Sequence, residues 1–169
     1  GTGTFTEARW LNWRTDSTRS TVLGDVDGDG DLDIAIGGHY NNPIELYLND
    51  GHGYFTEVLF IGPASDTTGD LAWGDVDKDG DLDLAVGNYE QPDVVYFNDS
   101  VTATNSITFT RKIPFGSVLN ATNSVAFGDV DNDCDLDLAL SRDGGQDVIY
   151  LNTLLGGCVH LPAIMKNYP

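Results

Sequence analysis

One segment, written three times, constrains this chain more than any other feature. GDVDGDGDLDIAIG begins at Gly24, GDVDKDGDLDLAVG at Gly74 and GDVDNDCDLDLALS at Gly128, at offsets of 50 and then 54 residues. The flanks recur in phase: Phe5-Thr6-Glu7, Phe55-Thr56-Glu57 and Phe109-Thr110-Arg111 on one side, and ELYLND from Glu45, VVYFND from Val94 and VIYLN from Val148 on the other. A fixed period marks a repeat architecture, whose units cannot bury their apolar faces alone and must stack. The repeats occupy residues 1–153, cut at about 4–53, 54–107 and 108–153, and leave 154–169 as a tail that could add a strand.

Each copy reads as short strands. A run of about seven residues opens at Phe-Thr, Leu71-Ala72-Trp73 leads into the acidic loop, and Leu82 to Val86 and Val94 to Phe97 follow it. Val, Ile, Leu, Phe, Tyr and Thr dominate these runs, which are too short for helices and end at Gly, Asn, Asp or Pro. The expectation is an all-β chain of three four-stranded antiparallel blades of propeller type, since about 50 residues per unit suits a blade. The Phe-Thr strand is offset: those at Phe55 and Phe109 complete the first and second sets. The one from Phe5 to about Leu11 is left over, and the third set has no obvious outer strand unless residues 158–165 or the Phe5 strand itself supply it.

Composition narrows the function. Of 169 residues 27 are acidic and 8 basic, a formal charge of -19 that repels nucleic acid. Only Glu7, Glu45, Glu57 and Glu90 are glutamates, and an excess made of Asp belongs to turns and metal loops rather than to a solvated helical surface. No apolar run approaches the ~20 residues of a membrane helix, so membrane insertion is not expected. The first residues lack a leader pattern, which places any export signal outside this segment.

In the first copy Asp25, Asp27 and Asp29 alternate, Gly30 follows and Asp33 closes the set. Alternation gathers carboxylates on one side of a curled loop, glycine at the sixth position permits the sharp turn, and such a density of oxygen suits a hard cation with 6 to 8 ligands. Calcium fits this pattern better than magnesium, which demands a strict octahedron, or zinc, which asks for His or Cys. An uncompensated surface turn is a poor alternative: two charges about 4 Å apart repel by roughly 4 kcal/mol at an effective dielectric near 20. An EF-hand needs Glu at the twelfth loop position and flanking helices, whereas Ile36, Val86 and Leu140 stand there, inside strand-like runs.

A D-x-D-x-D-G-x-x-D loop between strands, preceded by Gly and running into LDLAVG, resembles the FG-GAP or VCBS-type repeat of integrin alpha-chain propellers and of many secreted bacterial proteins. The resemblance implies calcium on Asp25, Asp27, Asp29 and Asp33, on Asp75, Asp77, Asp79 and Asp83, and on Asp129, Asp131, Asp133 and Asp137. The carbonyls of Asp31, Asp81 and Asp135 would complete the three sites. Cys134 replaces the glycine of the third loop, and a Cβ at a position with φ > 0 costs on the order of 1 kcal/mol, so the third site is expected to be the weaker.

Cys134 and Cys158 form an even pair, as suits an oxidising extracellular setting, and a bridge between them would pin the tail to the third loop. Asn98 and Asn120 lie in glycosylation sequons. His39, His52 and His160 show no ligand spacing. Trp73 aligns with Leu23 and Phe127 and is expected in the core, while Trp10 and Trp13 are candidates for an interface or glycan contact. Three blades are fewer than the 4 to 8 of ordinary propellers. The sequence therefore points to further blades of a longer chain, or to strand or blade completion by another copy as a closed dimer or an open filament. Together these features predict a non-enzymatic extracellular calcium module with a structural or self-assembly role. An adhesin or receptor fragment binding glycan or protein is the alternative, and an accessory domain of a calcium-dependent polysaccharide lyase or hydrolase is a second one.

Overall fold

The computed structural model describes residues 3–5, 7–11, 17–38, 42–100, 107–116 and 121–153. These form three antiparallel sheets in chain order. The first comprises β1 (Thr18–Gly24), β2 (Asp33–Gly38), β3 (Ile44–Asn49) and β4 (Phe55–Ile61). The second comprises β5 (Thr68–Gly74), β6 (Asp83–Asn88), β7 (Asp93–Phe97) and β8 (Arg111–Phe115). The third comprises β9 (Ala121–Gly128), β10 (Asp137–Asp143) and β11 (Val148–Tyr150). Strands lie side by side in sequence order within every sheet, and none of the sheets closes on itself. The acidic loop always joins the innermost strand to the second, and the offset Phe-Thr strands β4 and β8 do complete the first two sheets.

Period-two alternation assembles the stack, because successive strand residues point to opposite faces. From the second sheet, Leu84, Val86, Val94 and Tyr96 pack with Ala35, Ile44, Leu46 and Ile61 of the first. The intervening Ala85, Val95 and Phe97 face the other way and pack with Val125, Leu138 and Leu140 of the third. Strands β6 and β7 are consequently buried along their whole length. The innermost strands touch in turn, β1 against β5 and β5 against β9.

A glycine before each loop makes room for the next sheet. A Cβ on Gly24 would fall 2.9 Å from both Trp73 Cδ1 and Leu82 Cδ1, and one on Gly74 would fall 2.7 Å from Phe127 Cδ2 and 3.0 Å from Leu136 Cδ1. At Gly128, among the described residues, nothing lies within 4 Å. Trp73 is thus a core side chain as expected, filling the hollow over Gly24.

Asp70 ties all three innermost strands together. Its Oδ1 accepts from Ser20 Oγ at 2.7 Å, and its Oδ2 accepts from Ser124 Oγ at 2.9 Å and from Val125 N–H at 3.0 Å. Positions 20, 70 and 124 are equivalent in the repeat, so one carboxylate flanked by two hydroxyls forms the joint. Burial pushes this carboxyl up, but the hydrogen bonds from Ser20, Val125 and Ser124 outweigh it and hold Asp70 below the ordinary value.

Two expectations need correction. Residues 3–5 and 7–11 form no strand; Phe5 is fully exposed, and Arg9 donates instead to the carbonyls of His52 and Gly53 and stacks over Tyr54. A guanidinium that satisfies turn carbonyls and an aromatic face competes with edge pairing for this segment. The outer strand of the second sheet starts at Arg111 rather than Phe109, whose ring packs on Trp73 with centroids 6.2 Å apart. The third sheet has three strands among the described residues; residues 158–165, Trp13, His39 and His160 lie outside them.

Candidate metal centres

Each loop is curled by its own aspartates. The sixth-position N–H donates to the first Asp: Gly30 to Asp25 Oδ2 (3.1 Å), Gly80 to Asp75 Oδ2 (3.2 Å) and Cys134 to Asp129 Oδ2 (3.0 Å). The seventh N–H donates to Oδ1 of the fifth: Asp31 to Asp29, Asp81 to Asp79 and Asp135 to Asp133, at 2.9, 3.0 and 2.9 Å. Short polar side chains that bond nearby backbone in this way favour tight turns over strands. The sixth residue is left-handed in all three loops, with φ of 96° at Gly30, 98° at Gly80 and 72° at Cys134. Cys134 therefore occupies the strained position that the glycine pattern implied. Lys78 and Asn132, at the fourth position, are left-handed as well, a strain that sequence reading did not anticipate.

Carboxylate oxygens converge in every loop, all within 4.8 Å of one another. The groups are Asp25, Asp27 and Asp29; Asp75, Asp77 and Asp83; and Asp129, Asp131 and Asp137. The ninth-position aspartates Asp33, Asp83 and Asp137 are fully buried and act as struts. One oxygen accepts from the loop, from Val26, Val76 or Val130 N–H at 2.9, 2.9 and 2.8 Å. The other accepts from the end of the third strand, from Asn49, Asn98 or Asn152 N–H at 2.9, 2.9 and 2.8 Å. A carboxylate oxygen offers a further lone pair beyond one hydrogen bond, so this role is compatible with cation binding.

The electrostatics call for positive charge. Asp83 is pushed up to about 6, chiefly by burial, against the hydrogen bonds from Asn98 and Val76 and with the help of the Asp77 and Asp79 charges. Burial likewise raises Asp27, Asp33, Asp81 and Asp131, and neighbouring aspartates add to each. Asp25 Oδ1, Asp75 Oδ1, Asp77 Oδ1 and Asp135 Oδ2 are buried with no hydrogen-bond partner. Orphaned buried oxygens are costly unless something compensates them, and an all-oxygen set of this kind fits a hard divalent cation.

Among the residues whose carbonyls were expected to complete the sites, the side chains of Asp31 and Asp135 lie in different surroundings. The Asp31 carboxylate lies beside Gly51, where a Cβ would fall 2.4 Å from its Oδ2. Asp135 is buried and pairs with Lys78 of the second loop, and Arg111 pairs with Asp77. Neither basic side chain was singled out in the sequence. The asparagines Asn98 and Asn152 were also missed as ties between sheets: their Nδ2 groups donate to Val26 O and Val76 O of the preceding loop, both at 3.0 Å. The Asn that ends each YLN or YFN segment was the available signal. Asn98, which lies in a glycosylation sequon, is fully buried and serves as a structural amide. Asn120 and Cys158 lie outside the described residues.

These observations define an all-β repeat protein whose sheets each carry an acidic loop able to hold a metal ion between their first two strands. Residues 25–86 and 75–140 match the FG-GAP-like repeat, and the chain belongs to that family of propeller-type modules. FG-GAP repeats often bind calcium and are typical of extracellular proteins. No match was found among curated proteins. No helix among the described residues is long and apolar enough to cross a membrane.

Proposed function

We propose that this chain is a non-enzymatic, extracellular calcium-binding module that builds a larger structure. The observation that carries the reading is the set of buried, partnerless carboxylate oxygens on Asp25, Asp75 and Asp77, within acidic clusters that recur in every loop. Acidic clusters that recur in one structural setting suit a scaffold, whereas catalysis calls for groups whose environments differ. The assembly role is supported by the outer face of the third sheet, where Ile149 is 54 % exposed at the position that Val95 occupies at 8 % in the second. That face is suited to a further blade, from a longer chain or a second copy. A Cys134–Cys158 bridge belongs to the same extracellular reading.

Calorimetric titration tests it: calcium should bind at two to three sites per chain with dissociation constants of roughly 0.1–1 mM, the range of extracellular modules, and magnesium much weaker. Heat indistinguishable from dilution would end the proposal. Trp10 favours a second reading as an adhesin or receptor part. It is 92 % exposed and lines a cavity of about 450 Å³ with Arg9, Tyr54 and Phe55, a stacking surface for a sugar ring. A glycan array on the calcium-loaded chain and on Trp10→Ala separates the two.

A further inference from the structure

The three acidic loops share one pattern of aspartates but not one counter-charge. Arg111 opens β8 opposite Phe97 and lies with its guanidinium 3.8 Å from the centre of the Phe97 ring. Its Nε and Nη2 donate to Asp99 Oδ1 at 3.2 and 3.1 Å, and Nη2 also meets Asp77 Oδ2. Asp77 belongs to the converging set of the second loop, and its remaining oxygen, Oδ1, is one of the buried atoms without a partner. The equivalent residue of the first sheet is Glu57, opposite Leu48 in β4, so the charge at this position reverses between the two sheets. Among the described residues, Asp25, Asp27, Asp29 and Asp33 of the first loop make no ion pair.

We propose that Arg111 is the resident counter-ion of the second loop and sets its calcium affinity below that of the first. This rests on the calcium reading given above. A guanidinium stacked on an aromatic ring and shared between two carboxylates is held in place with little entropy left to lose. A dication entering the second loop meets one carboxylate already engaged and a positive charge beside it, whereas the first loop offers its carboxylates unopposed. When calcium is scarce the roles reverse: Arg111 offsets the crowding around Asp77 and keeps the second loop curled, a relief the first loop lacks. The chain would then respond to calcium in steps, the first loop filling before the second.

Residue-resolved calcium titration of the whole chain by amide NMR tests this, because the Gly30 and Gly80 amides report on the first and second loops separately. In the unmodified chain the Gly30 signal should reach its midpoint at lower calcium than the Gly80 signal. In Arg111→Gln the Gly80 midpoint should fall about tenfold or more, leaving Gly30 within about twofold, the scale expected for a charge next to a divalent site. Arg111→Lys keeps the charge and should leave Gly80 within about threefold of the unmodified chain. It also serves if the glutamine variant does not fold. A Gly80 midpoint that ignores the glutamine change, a Gly80 signal that leads Gly30, or a lysine variant that binds about tenfold tighter would each overturn the role of Arg111 while leaving calcium binding intact. Amides that do not respond to calcium at all would instead remove the reading beneath it.

Discussion

The second and third sheets use almost the same residues in different surroundings. Leu84, Ala85, Val94 and Val95 lie in strands buried on both faces, because the first sheet covers one side and the third covers the other. Their counterparts in the third sheet divide: Leu138 is buried against the second sheet, while Ile149 faces outward beside Ala126 and Ala139 in a shallow hollow of about 430 Å³. Nothing in the strand sequences marks one as interior and the other as rim. Burial here is a property of the neighbour, the behaviour of a one-dimensional stack in which each unit contacts only those beside it.

Calcium removal should have the largest effect on this comparison. For a dissociation constant near 100 μM in about 1 mM calcium, linkage supplies roughly 1.4 kcal/mol per site and about 4 kcal/mol for three, a large share of a typical total of 5–15 kcal/mol. Thermal melts with and without chelator should differ by many degrees, and hydrogen exchange should show the third sheet, covered on one face among the described residues, losing protection first. Equal protection of the two sheets would mean that the outer face is covered in solution.

A core truncation follows in size. Leu84→Ala should cost about 3 kcal/mol, as buried leucines do, and Ile149→Ala well under 1 kcal/mol; urea midpoints measure both. Similar values would again betray a covered rim. Next is the joint: Asp70→Ala strands Val125 N–H and two hydroxyls and should lose about 2 kcal/mol. Since Asp70 is held below its ordinary value, its contribution is complete above about pH 4 and disappears as pH falls through the lowered value. Asp83 has the opposite sign. Raised to about 6, it makes the calcium-free chain lose stability as pH climbs from about 4 to 6, which a melt-versus-pH series in chelator detects. The smallest effect belongs to Asn132→Gly, which relieves a left-handed non-glycine residue and should raise the melt by the equivalent of a few tenths of a kcal/mol.

The repeat made the blades legible. Strand order, the loop between the first two strands and the offset of the Phe55 and Phe109 strands all follow from turn chemistry and period-two patterning, which are local. The convergence of Asp25 with Asp27 and Asp29, of Asp75 with Asp77 and of Asp129 with Asp131 was legible for the same reason, since alternation within one loop determines their side, while Asp33, Asp79 and Asp133 of the expected sets stand outside the converging groups. Contacts between repeats were not. Arg111 reaches Asp77 across 34 positions and Lys78 reaches Asp135 across 57, and no local pattern brings such charges together. The segment from Phe5 misled because its letters match a strand, while Arg9 finds a turn and a tyrosine ring to hold it elsewhere.

Asn98 grips two acidic turns at once, its main chain fastened to Asp83 and its side chain to the Val26 carbonyl one sheet back. Asn152 repeats the grip a step further along. A cation lost from one turn slackens an anchor that the adjoining turn also leans on, so disruption should spread from sheet to sheet like a seam unpicked from its loose end.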